Sequence, residues 1–311
     1  MKTYHFIVNT HSGSDKGKTV WSSILSFIEK QQIDYKVYMP NRADDTTLLV
    51  SRLTNGLNED IHIVVVGGDG TMNAVLQGIV DFEHTLLSCI RIGSGNDFAR
   101  NMDIPKSYEE NILHFLNTPK EYMLDYGEAA YITTSGEKNS KRFIISSGIG
   151  YDAAICEEVG RSKLKPLLNK LHLGRLVYVC IGVKQIFEKK VVKAFLQLDN
   201  EQPRKIDKLF FTVGMVHSQE GGGVPFCPHA NPTDGMFHVC LVQDMPKWKL
   251  LLAVCLVYFK KHLLFEKITE HTCKNLRIKT KEAMWFHMDG ETPCQTKELH
   301  LSCKQGLRFV K

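Results

Sequence analysis

The sequence predicts two domains of different class, an α/β domain over residues 1–125 and a mostly β domain over residues 126–311. Three observations support this division. The chain has 311 residues, which is long for one ordinary domain, and its 43% hydrophobic content is sufficient for a sizeable core. Strand and helix patterns alternate in the first third. From about Tyr126, shorter strand patterns separated by turn residues replace them.

The first domain consists of repeated β-α units. The predicted strands are Tyr4–Asn9, Tyr35–Met39, Ile61–Val66 and Leu86–Ile92, and the predicted helices are Lys16–Lys30, Asp45–Leu57 and Met72–Val80. The apolar run Ile61–Val66 is typical of a strand that is covered on both faces, and the crossovers are long enough for helices. We therefore expect a parallel sheet, in which ligands bind at the carboxyl ends of the strands.

The second domain is expected to be mostly β, with its last strands able to pack back on the first domain. The predicted strands are Arg142–Ser147, Val191–Leu198, Lys208–Val216, Met236–Gln243, Asn275–Thr280, Met284–His287, Leu299–Cys303 and Leu307–Val310. Two helical insertions, Leu164–Glu188 and Lys247–Phe265, interrupt this pattern. Both insertions carry basic residues beside apolar ones.

The cysteine content indicates the cellular environment of the chain, whereas its overall charge does not identify a ligand. The formal charge of +5 suits ATP, anionic lipid or nucleic acid equally, and no aromatic-basic motif supports nucleic-acid binding. The nine cysteines are odd in number and include no C-x-x-C pair, so we expect neither a zinc site nor a disulfide framework. The N-terminal apolar stretch is too short for a signal peptide. We expect reduced cysteines and a cytoplasmic protein.

The longest apolar run is Leu250–Phe259, which has lysines on both sides. It falls short of the roughly 20 apolar residues that a spanning helix requires. A helix that covers a sheet is the favoured interpretation, and a helix on the membrane surface is the alternative.

The run Val64–Thr71 has the pattern of a phosphate site. An apolar strand leads into Gly67-Gly68-Asp69-Gly70-Thr71, and a helix is expected to follow. Glycine allows close approach of the backbone to an anion, and the N-terminus of a helix attracts negative charge. The P-loop pattern does not fit because no Lys follows at the required spacing, and the dinucleotide pattern G-x-G-x-x-G does not fit either.

A second glycine turn, Gly93–Arg100, follows the next strand. In a parallel sheet both turns lie at the same edge, which brings Asp69 and Asp97 to one crevice. Such carboxylates could hold Mg²⁺ or order its waters, and the ion would neutralise charge on a phosphoryl group. The alternative for Asp97 is the N-cap of a short helix.

Five separated motifs together resemble the diacylglycerol kinase catalytic family, especially the bacterial lipid kinases that share a superfamily with NAD kinases. The motifs are Asn9–Gly13, Gly67–Asn73, Ser94–Arg100, the pair Gly148–Asp152 and Gly221–Gly235, and Met288–Glu291. The first glycine motif is shared with NAD kinases, so Ser94–Arg100 and the late Asp-Gly-Glu turn carry the likeness to lipid kinases. The resemblance implies a three-layer α/β nucleotide domain, a β-sandwich domain and an active site in the cleft between them.

The resemblance also implies roles for individual residues. Asp289 is the expected general base, which takes the proton of a lipid hydroxyl. The residues expected at the ATP and Mg²⁺ site are Asn9, Thr10, His11, Ser12, Gly13, Gly67, Gly68, Asp69, Gly70, Thr71, Met72, Asn73, Ser94, Asn96, Asp97, Asp125 and Glu291. Asp234 with the carbonyls of Asn231 and Met236 is the expected site of a structural Mg²⁺. The alternatives are ordinary turns at Asp289 and Asp234, and a solvated linker charge at Asp125.

Three positions depart from the family pattern. Thr10 follows Asn9 where the family usually has a proline. Pro40 stands where the family has a threonine that touches nucleotide, and it offers neither a hydroxyl nor an N–H. His217 stands where an asparagine usually precedes the triple glycine. The change at Pro40 affects an ATP contact, and the change at His217 affects recognition of the acceptor.

The leading hypothesis is an ATP- and Mg²⁺-dependent kinase that phosphorylates diacylglycerol or a related lipid at the inner face of the membrane. The basic stretch Arg161–Arg175 is a candidate for membrane contact, and a solvated surface helix is its alternative. An NAD kinase and a non-catalytic nucleotide- or lipid-binding regulator are the competing functions. The sequence is compatible with a homodimer.

Overall fold

A computed structural model describes residues 3–12, 17–93, 95–161, 174–188 and 190–311. The chain divides into two compact units. The first comprises Met1–Tyr126 together with Gln305–Lys311, and the second comprises Gly127–Lys304. The C-terminal residues therefore return to the first unit.

The first unit is built on a parallel sheet, as predicted. Its strands are β1 (Tyr4–Val8), β2 (Tyr35–Tyr38), β3 (Ile61–Gly67) and β4 (Thr85–Arg91), in the spatial order β4-β3-β1-β2. Its helices are α1 (Gly17–Lys30), α2 (Ala43–Leu53), α3 (Asp69–Gly78), α4 (Asp97–Asn101) and α5 (Tyr108–Asn117). All seven residues of β3 are buried, as expected for a strand covered on both faces.

The core of the first unit forms between the sheet and its helices. Trp21, Ile24 and Ile28 recur at helical spacing and make the buried face of α1. Ser107 caps α5 by accepting a hydrogen bond from the Glu110 N–H at 3.1 Å. The last residues of the chain extend the sheet, because Arg308 and Phe309 pair in parallel with β4.

The second unit is a β-sandwich with mostly antiparallel strands. Its strands are β5 (Glu121–Thr133), β6 (Lys138–Phe143), β7 (Ser146–Gly150), β8 (Val192–Leu198), β9 (Arg204–Met215), β10 (Phe237–Gln243), β11 (Ile268–Cys273), β12 (Asn275–Met288) and β13 (Gln295–Val310). By sequence, β5 begins and β13 ends in the first unit. The helices are α6 (Tyr151–Arg161), α7 (Gly174–Glu188), α8 (Lys247–Val257) and a 3₁₀ turn at His262–Leu264.

Strand β12 pairs with two different strands of the sandwich along its length. Its first half, Leu276–Thr280, pairs with β8, whereas Phe286–Met288 pairs with β7. Strand β10 is buried on both faces: Phe237, Val239 and Leu241 enter one hydrophobic cluster, and Cys240 and Val242 enter another. The second cluster also includes residues of α8, which therefore covers this strand.

Several element predictions were wrong in detail. The predicted pair Asn275–Thr280 and Met284–His287 is the single strand β12 with a shift of register between them, and the two last predicted strands are parts of β13. The sequence reading missed β5, β11, α5 and α6. In β5, Asp125 and Glu128 interrupt the apolar pattern that signals a strand.

The two helical insertions also differ from expectation. The part of Leu164–Glu188 up to residue 173 lies outside the described residues, and the remainder is α7. The helix predicted over Lys247–Phe265 ends at Val257, and the 3₁₀ turn follows separately. All nine cysteines are free, as predicted, although Cys180 and Cys255 are exposed. Among the described helices, none has both the length and the apolar character needed to cross a bilayer.

Gly127 offers a direct test of packing in the second unit. A Cβ atom at this position would lie 2.0 Å from the ring of Phe143, which is fully buried and pairs with Gly127 across β5 and β6. We expect Gly127→Ala to lower the free energy of unfolding by about 1–3 kcal/mol, the usual cost of overpacking. Chemical denaturation followed by circular dichroism measures this.

Gly160→Ala is the matched control, because Gly160 lies in α6 and a Cβ atom added there would have no neighbour within 4 Å among the described residues. We expect it to raise stability by about 0.5–1 kcal/mol, the helix preference for Ala over Gly. Equal stability of the two variants would contradict the packing argument.

Candidate functional site

The first glycine turn lies where β3 ends and α3 begins. The helix starts at Asp69, three residues earlier than the predicted Met72, and its first bonds run from the N–H groups of Thr71 and Met72 to the Gly68 carbonyl. The Asn9 side chain donates from Nδ2 to Thr71 Oγ1 at 3.0 Å, and its Oδ1 accepts from the His11 N–H at 3.0 Å. Asn9 therefore ties the turn after β1 to the glycine turn after β3.

The two glycine turns touch through their backbones. A Cβ atom at Gly93 would lie 2.7 Å from the Gly68 Cα, and one at Gly68 would lie 3.0 Å from the Gly93 Cα. Contacts this close exclude any larger residue without a shift of the backbone. The carboxyl ends of β3 and β4 thus form one continuous surface, as the parallel sheet predicted.

Asp69 joins the same two turns by hydrogen bonds. Its Oδ2 accepts from the Asp97 N–H and its Oδ1 from the Phe98 N–H, both at 3.0 Å. Helix α4 has no cap from its own N-cap residue, Asn96, so Asp69 supplies the acceptor from another element. The alternative in which Asp97 is the N-cap is wrong, because Asp97 is the first helical residue and pairs with Arg100.

The structure brings most of the predicted nucleotide residues together in the first unit. Asn9, Gly67, Gly68, Asp69, Thr71, Asn96 and Asp97 meet around these turns, and Thr10, His11 and Ser12 lie on the turn after β1. Met72 is buried in the core, and Asn73 accepts a hydrogen bond from Gln77. Gly13 and Ser94 lie outside the described residues.

Asp125 is fully buried on β5. The alternative of a solvated linker charge is therefore wrong. A buried carboxylate is costly unless its surroundings stabilise it, which makes a structural or functional role the better interpretation.

Asp289 lies in a tight turn after β12. Asp289 and Gly290 both have positive φ, 49° and 84°, and the Met288 and Glu291 backbones exchange two hydrogen bonds of 2.9 Å. This is the pattern of a type I′ turn, in which Gly at the second position is favoured. The turn interpretation is thus correct, and it does not compete with a chemical role.

Three backbone N–H groups hold the Asp289 carboxylate. Ile144 donates to Oδ2 at 2.9 Å, while Ile145 and Ser146 donate to Oδ1 at 2.8 and 3.1 Å. These bonds fix the plane of the carboxylate and stabilise its negative charge. Glu291, the other acid of the turn, is exposed.

A buried group of ionisable side chains lies behind this turn and was not singled out from the sequence. Asp152, Glu220 and His287 place one ligand-type atom each within 4.8 Å of the others. His287 Nε2 lies 3.0 Å from Asp152 Oδ2, and the Ser146 hydroxyl donates to Glu220. Gly148 leaves room for Asp152, since a Cβ there would lie 2.2 Å from its Oδ2.

The charges in this group determine the protonation of His287. Burial by itself would lower the pKa of His287, but the carboxylates of Glu220, Asp152 and Asp289 raise it to about 9. A cationic imidazole between carboxylates offsets their repulsion in a buried site. The residues that could have revealed the group are Asp152 in the Gly148–Asp152 motif and Glu220 just before the triple glycine.

The side chains of the Asp234 loop already bond to one another. Asp234 Oδ1 accepts from the Met236 N–H at 3.0 Å, and its Oδ2 lies 3.4 Å from His238 Nε2. Asn231 Oδ1 accepts from Thr233. An imidazole is not a ligand that Mg²⁺ prefers, so these bonds compete with the magnesium site, which stays a prediction.

His217, the departure from the family pattern before the triple glycine, is buried. Burial lowers the pKa of His217 to about 3, so the imidazole is neutral near pH 7. It can act as a hydrogen-bonding group there, as an asparagine would, without adding charge.

Comparison with known proteins supports two family assignments along the chain. Residues 3–126 match the model of the diacylglycerol kinase catalytic domain, and residues 145–303 match the YegS C-terminal NAD kinase β sandwich-like domain. The Bacillus subtilis protein YtlR, which is described as a proposed lipid kinase, is 26% identical to this chain, and the alignment covers 94% of each chain. A diacylglycerol kinase of Staphylococcus carnosus is 27% identical over 98% of this chain and 94% of its own.

Solved structures share the fold. A diacylglycerol kinase structure from Bacillus anthracis str. Sterne superposes with a TM-score of 0.68 at 17% identity, and covers 99% of this chain and 96% of that one. Yeast NADH kinase superposes with a TM-score of 0.51 at 10% identity, over 100% of this chain and 83% of that one. At these identities the likeness concerns the fold alone.

The raised pKa of His287 leads to a prediction about how stability depends on pH. The pKa of His287 in the folded protein, about 9, lies above its ordinary value of 6.5. Its contribution to stability is therefore fully present below pH 6.5 and is lost as the pH rises through 9. We expect the difference in unfolding free energy between wild type and His287→Gln to shrink over this range in urea titrations.

The control is His114→Gln, because His114 is exposed on α5. Its difference from wild type should stay small at every pH. A wild-type advantage over His287→Gln that is constant from pH 6 to about pH 9 would show that the buried imidazole is not protonated.

Proposed function

We propose that this chain, which belongs to the diacylglycerol kinase family, transfers the γ-phosphoryl group of ATP to the hydroxyl of diacylglycerol and so makes phosphatidic acid. As a member of that family it is a lipid kinase, a phosphotransferase with an alcohol group as acceptor. The proposal concerns the finer points: the phosphoryl donor, the metal and the particular lipid. The observation that carries it is the Asp289 carboxylate, which three backbone amides hold in an Asp-Gly-Glu turn.

The donor site is proposed at the glycine turns of the first unit. Close backbone contact between Gly68 and Gly93 and the start of α3 at Asp69 supply the N–H groups and helix dipole that bind phosphates. Asn9 and Thr71 are linked to each other there and fix the approach to the nucleotide. The loss of a hydroxyl at Pro40 removes one contact of this site.

Magnesium is proposed to accompany ATP at these turns. When bound, it would neutralise negative charge on the phosphates. Asp69 and Asp97 are the carboxylates proposed to hold it or its waters. Asp69 already accepts two backbone amides, but a carboxylate oxygen can accept more than one hydrogen bond, so capping α4 is compatible with that role.

The proposed reaction follows from the way the Asp289 carboxylate is held. A lipid hydroxyl donates its hydrogen bond to the carboxylate, which orients the oxygen for in-line attack on the γ-phosphorus. A P–O bond forms to the lipid oxygen as the bond to the β-phosphate oxygen breaks, ADP leaves, and Asp289 receives the proton. Because the carboxylate cannot rotate away from its three amides, it presents the same face to each substrate.

The test incubates the purified protein with labelled ATP, Mg²⁺ and a total lipid extract, followed by identification of the phosphorylated lipid. We expect labelled phosphatidic acid. NAD is offered in a parallel reaction, and labelling of NAD without any lipid product would overturn the proposal in favour of an NAD kinase. Nucleotide binding without transfer to either acceptor would indicate a regulator.

Asp289→Asn tests the role of the carboxylate. We expect the rate of transfer to fall by about 10²–10⁴-fold, the usual range for loss of a general base, while nucleotide binding is retained. Asp199→Asn is a matched control. Asp199 also has positive φ, and its Oδ1 accepts two consecutive backbone N–H groups, from Lys274 and Asn275.

The control removes the negative charge from the same kind of structural carboxylate, away from the proposed chemistry. Both variants should lose a similar small amount of stability, and only Asp289→Asn should lose activity. If the two variants retain equal activity, Asp289 is not the base.

A further inference from the structure

Helix α8 is apolar on both of its faces. Leu250, Ala253 and Val257 are buried, and the first two pack in the hydrophobic cluster around β10. On the opposite side Trp248, Leu252 and Cys255 recur at helical spacing and are exposed. A helix on the surface of a soluble domain normally turns charged or polar residues outward, so this outward face calls for an explanation.

Large apolar side chains beyond the helix are exposed as well. We define the docking face as Phe187, Trp248, Leu252, Tyr258, Phe259 and Leu264. Trp248, Phe259 and Leu264 are 63%, 71% and 79% exposed. Phe187 of α7 belongs with the start of α8, since the Lys247 ammonium donates to its carbonyl at 2.5 Å and lies 5.7 Å from its ring. Several exposed apolar side chains of this size on adjoining segments are typical of an interaction site.

Lysines predominate along this face. Lys247, Lys249, Lys260 and Lys261 lie in the segment from Met245 to Phe265, which contains no Asp or Glu, and the exposed acids Glu188 and Glu266 stand only at its margins in sequence. The Lys249 ammonium lies 5.4 Å from the Trp248 ring. An apolar face bordered by lysines complements a bilayer of anionic lipid, in which the aromatic rings enter the interface and the ammonium groups meet the headgroups.

From this arrangement we infer that the docking face binds the second unit to the surface of an anionic membrane. This deepens the proposed function, on which it rests, because a lipid acceptor must be reached at such a surface. A second copy of the chain is a less suitable occupant of the docking face. Two copies joined by this face would bring eight lysines together, four from each, and like charges oppose such an interface.

Vesicle co-sedimentation tests the inference without catalysis. We expect wild type to bind vesicles of phosphatidylcholine with added phosphatidylglycerol, to bind phosphatidylcholine alone weakly, and to be released by high salt. The double change Trp248→Ser and Phe259→Ser should lower the partition coefficient by about tenfold or more, because two large apolar side chains no longer enter the interface. Lys260→Gln with Lys261→Gln should lower it by about tenfold on the anionic vesicles only.

Matched controls use exposed residues elsewhere on the second unit. Phe195→Ser removes an aromatic side chain that is 51% exposed on β8, and Lys138→Gln with Lys141→Gln removes two exposed charges from β6. Both should bind vesicles as wild type does. If the docking-face variants also bind as wild type does, or if binding ignores anionic lipid, the inference is overturned.

Two further measurements separate this inference from its alternatives. Light scattering that shows a dimer dissociated by Trp248→Ser with Phe259→Ser would assign the face to a second copy and overturn membrane docking. Phosphoryl transfer to lipid in detergent micelles reports the proposed function alone. Transfer in micelles with no effect of the variants on vesicle binding refutes only the docking face, whereas vesicle binding without transfer to any lipid refutes only the kinase proposal.

Discussion

The hydrogen bonds from two consecutive amides to Asp69 are the constraint on which the glycine turns of the first unit depend. The ends of β3 and β4 carry glycines that touch through their backbones, so no side chain between them can hold the turns in place. Helix α4 has only five residues and would not persist by its own hydrogen bonds. Asp69 fixes its first turn and, with it, the position of the second glycine loop relative to the first.

The second unit uses the same interaction at Asp289, where the amides of three consecutive residues bind one carboxylate. The same interaction occurs again in the second unit at Asp199, whose Oδ1 accepts hydrogen bonds from the amides of Lys274 and Asn275. Geometry of this kind therefore stabilises turns throughout the protein and does not by itself identify a catalytic group. What distinguishes Asp289 is its family motif and the buried Asp152, Glu220 and His287 behind it.

The sequence predicted the parts of the structure that depend on local pattern. Apolar runs such as Ile61–Val66, and the glycines after them, can each be recognised from the local sequence alone. The parallel sheet follows from their order along the chain. Strand β5 was missed because Asp125 interrupts its pattern, and that residue is buried by tertiary structure that no local window contains. The group around His287 was missed for a similar reason, since its members are separated by more than sixty residues at each step.

The surroundings of Asp289 define what kind of base it can be. A carboxylate whose charge is already stabilised by three amides gains less from taking up a proton than one in water. Phosphoryl transfer through a loose transition state demands positioning of the attacking oxygen more than early removal of its proton. The cation at His287 reduces the repulsion among the nearby carboxylates of Asp152, Glu220 and Asp289. In the proposed reaction, Asp289 would thus orient a hydroxyl first and receive its proton as the new bond forms.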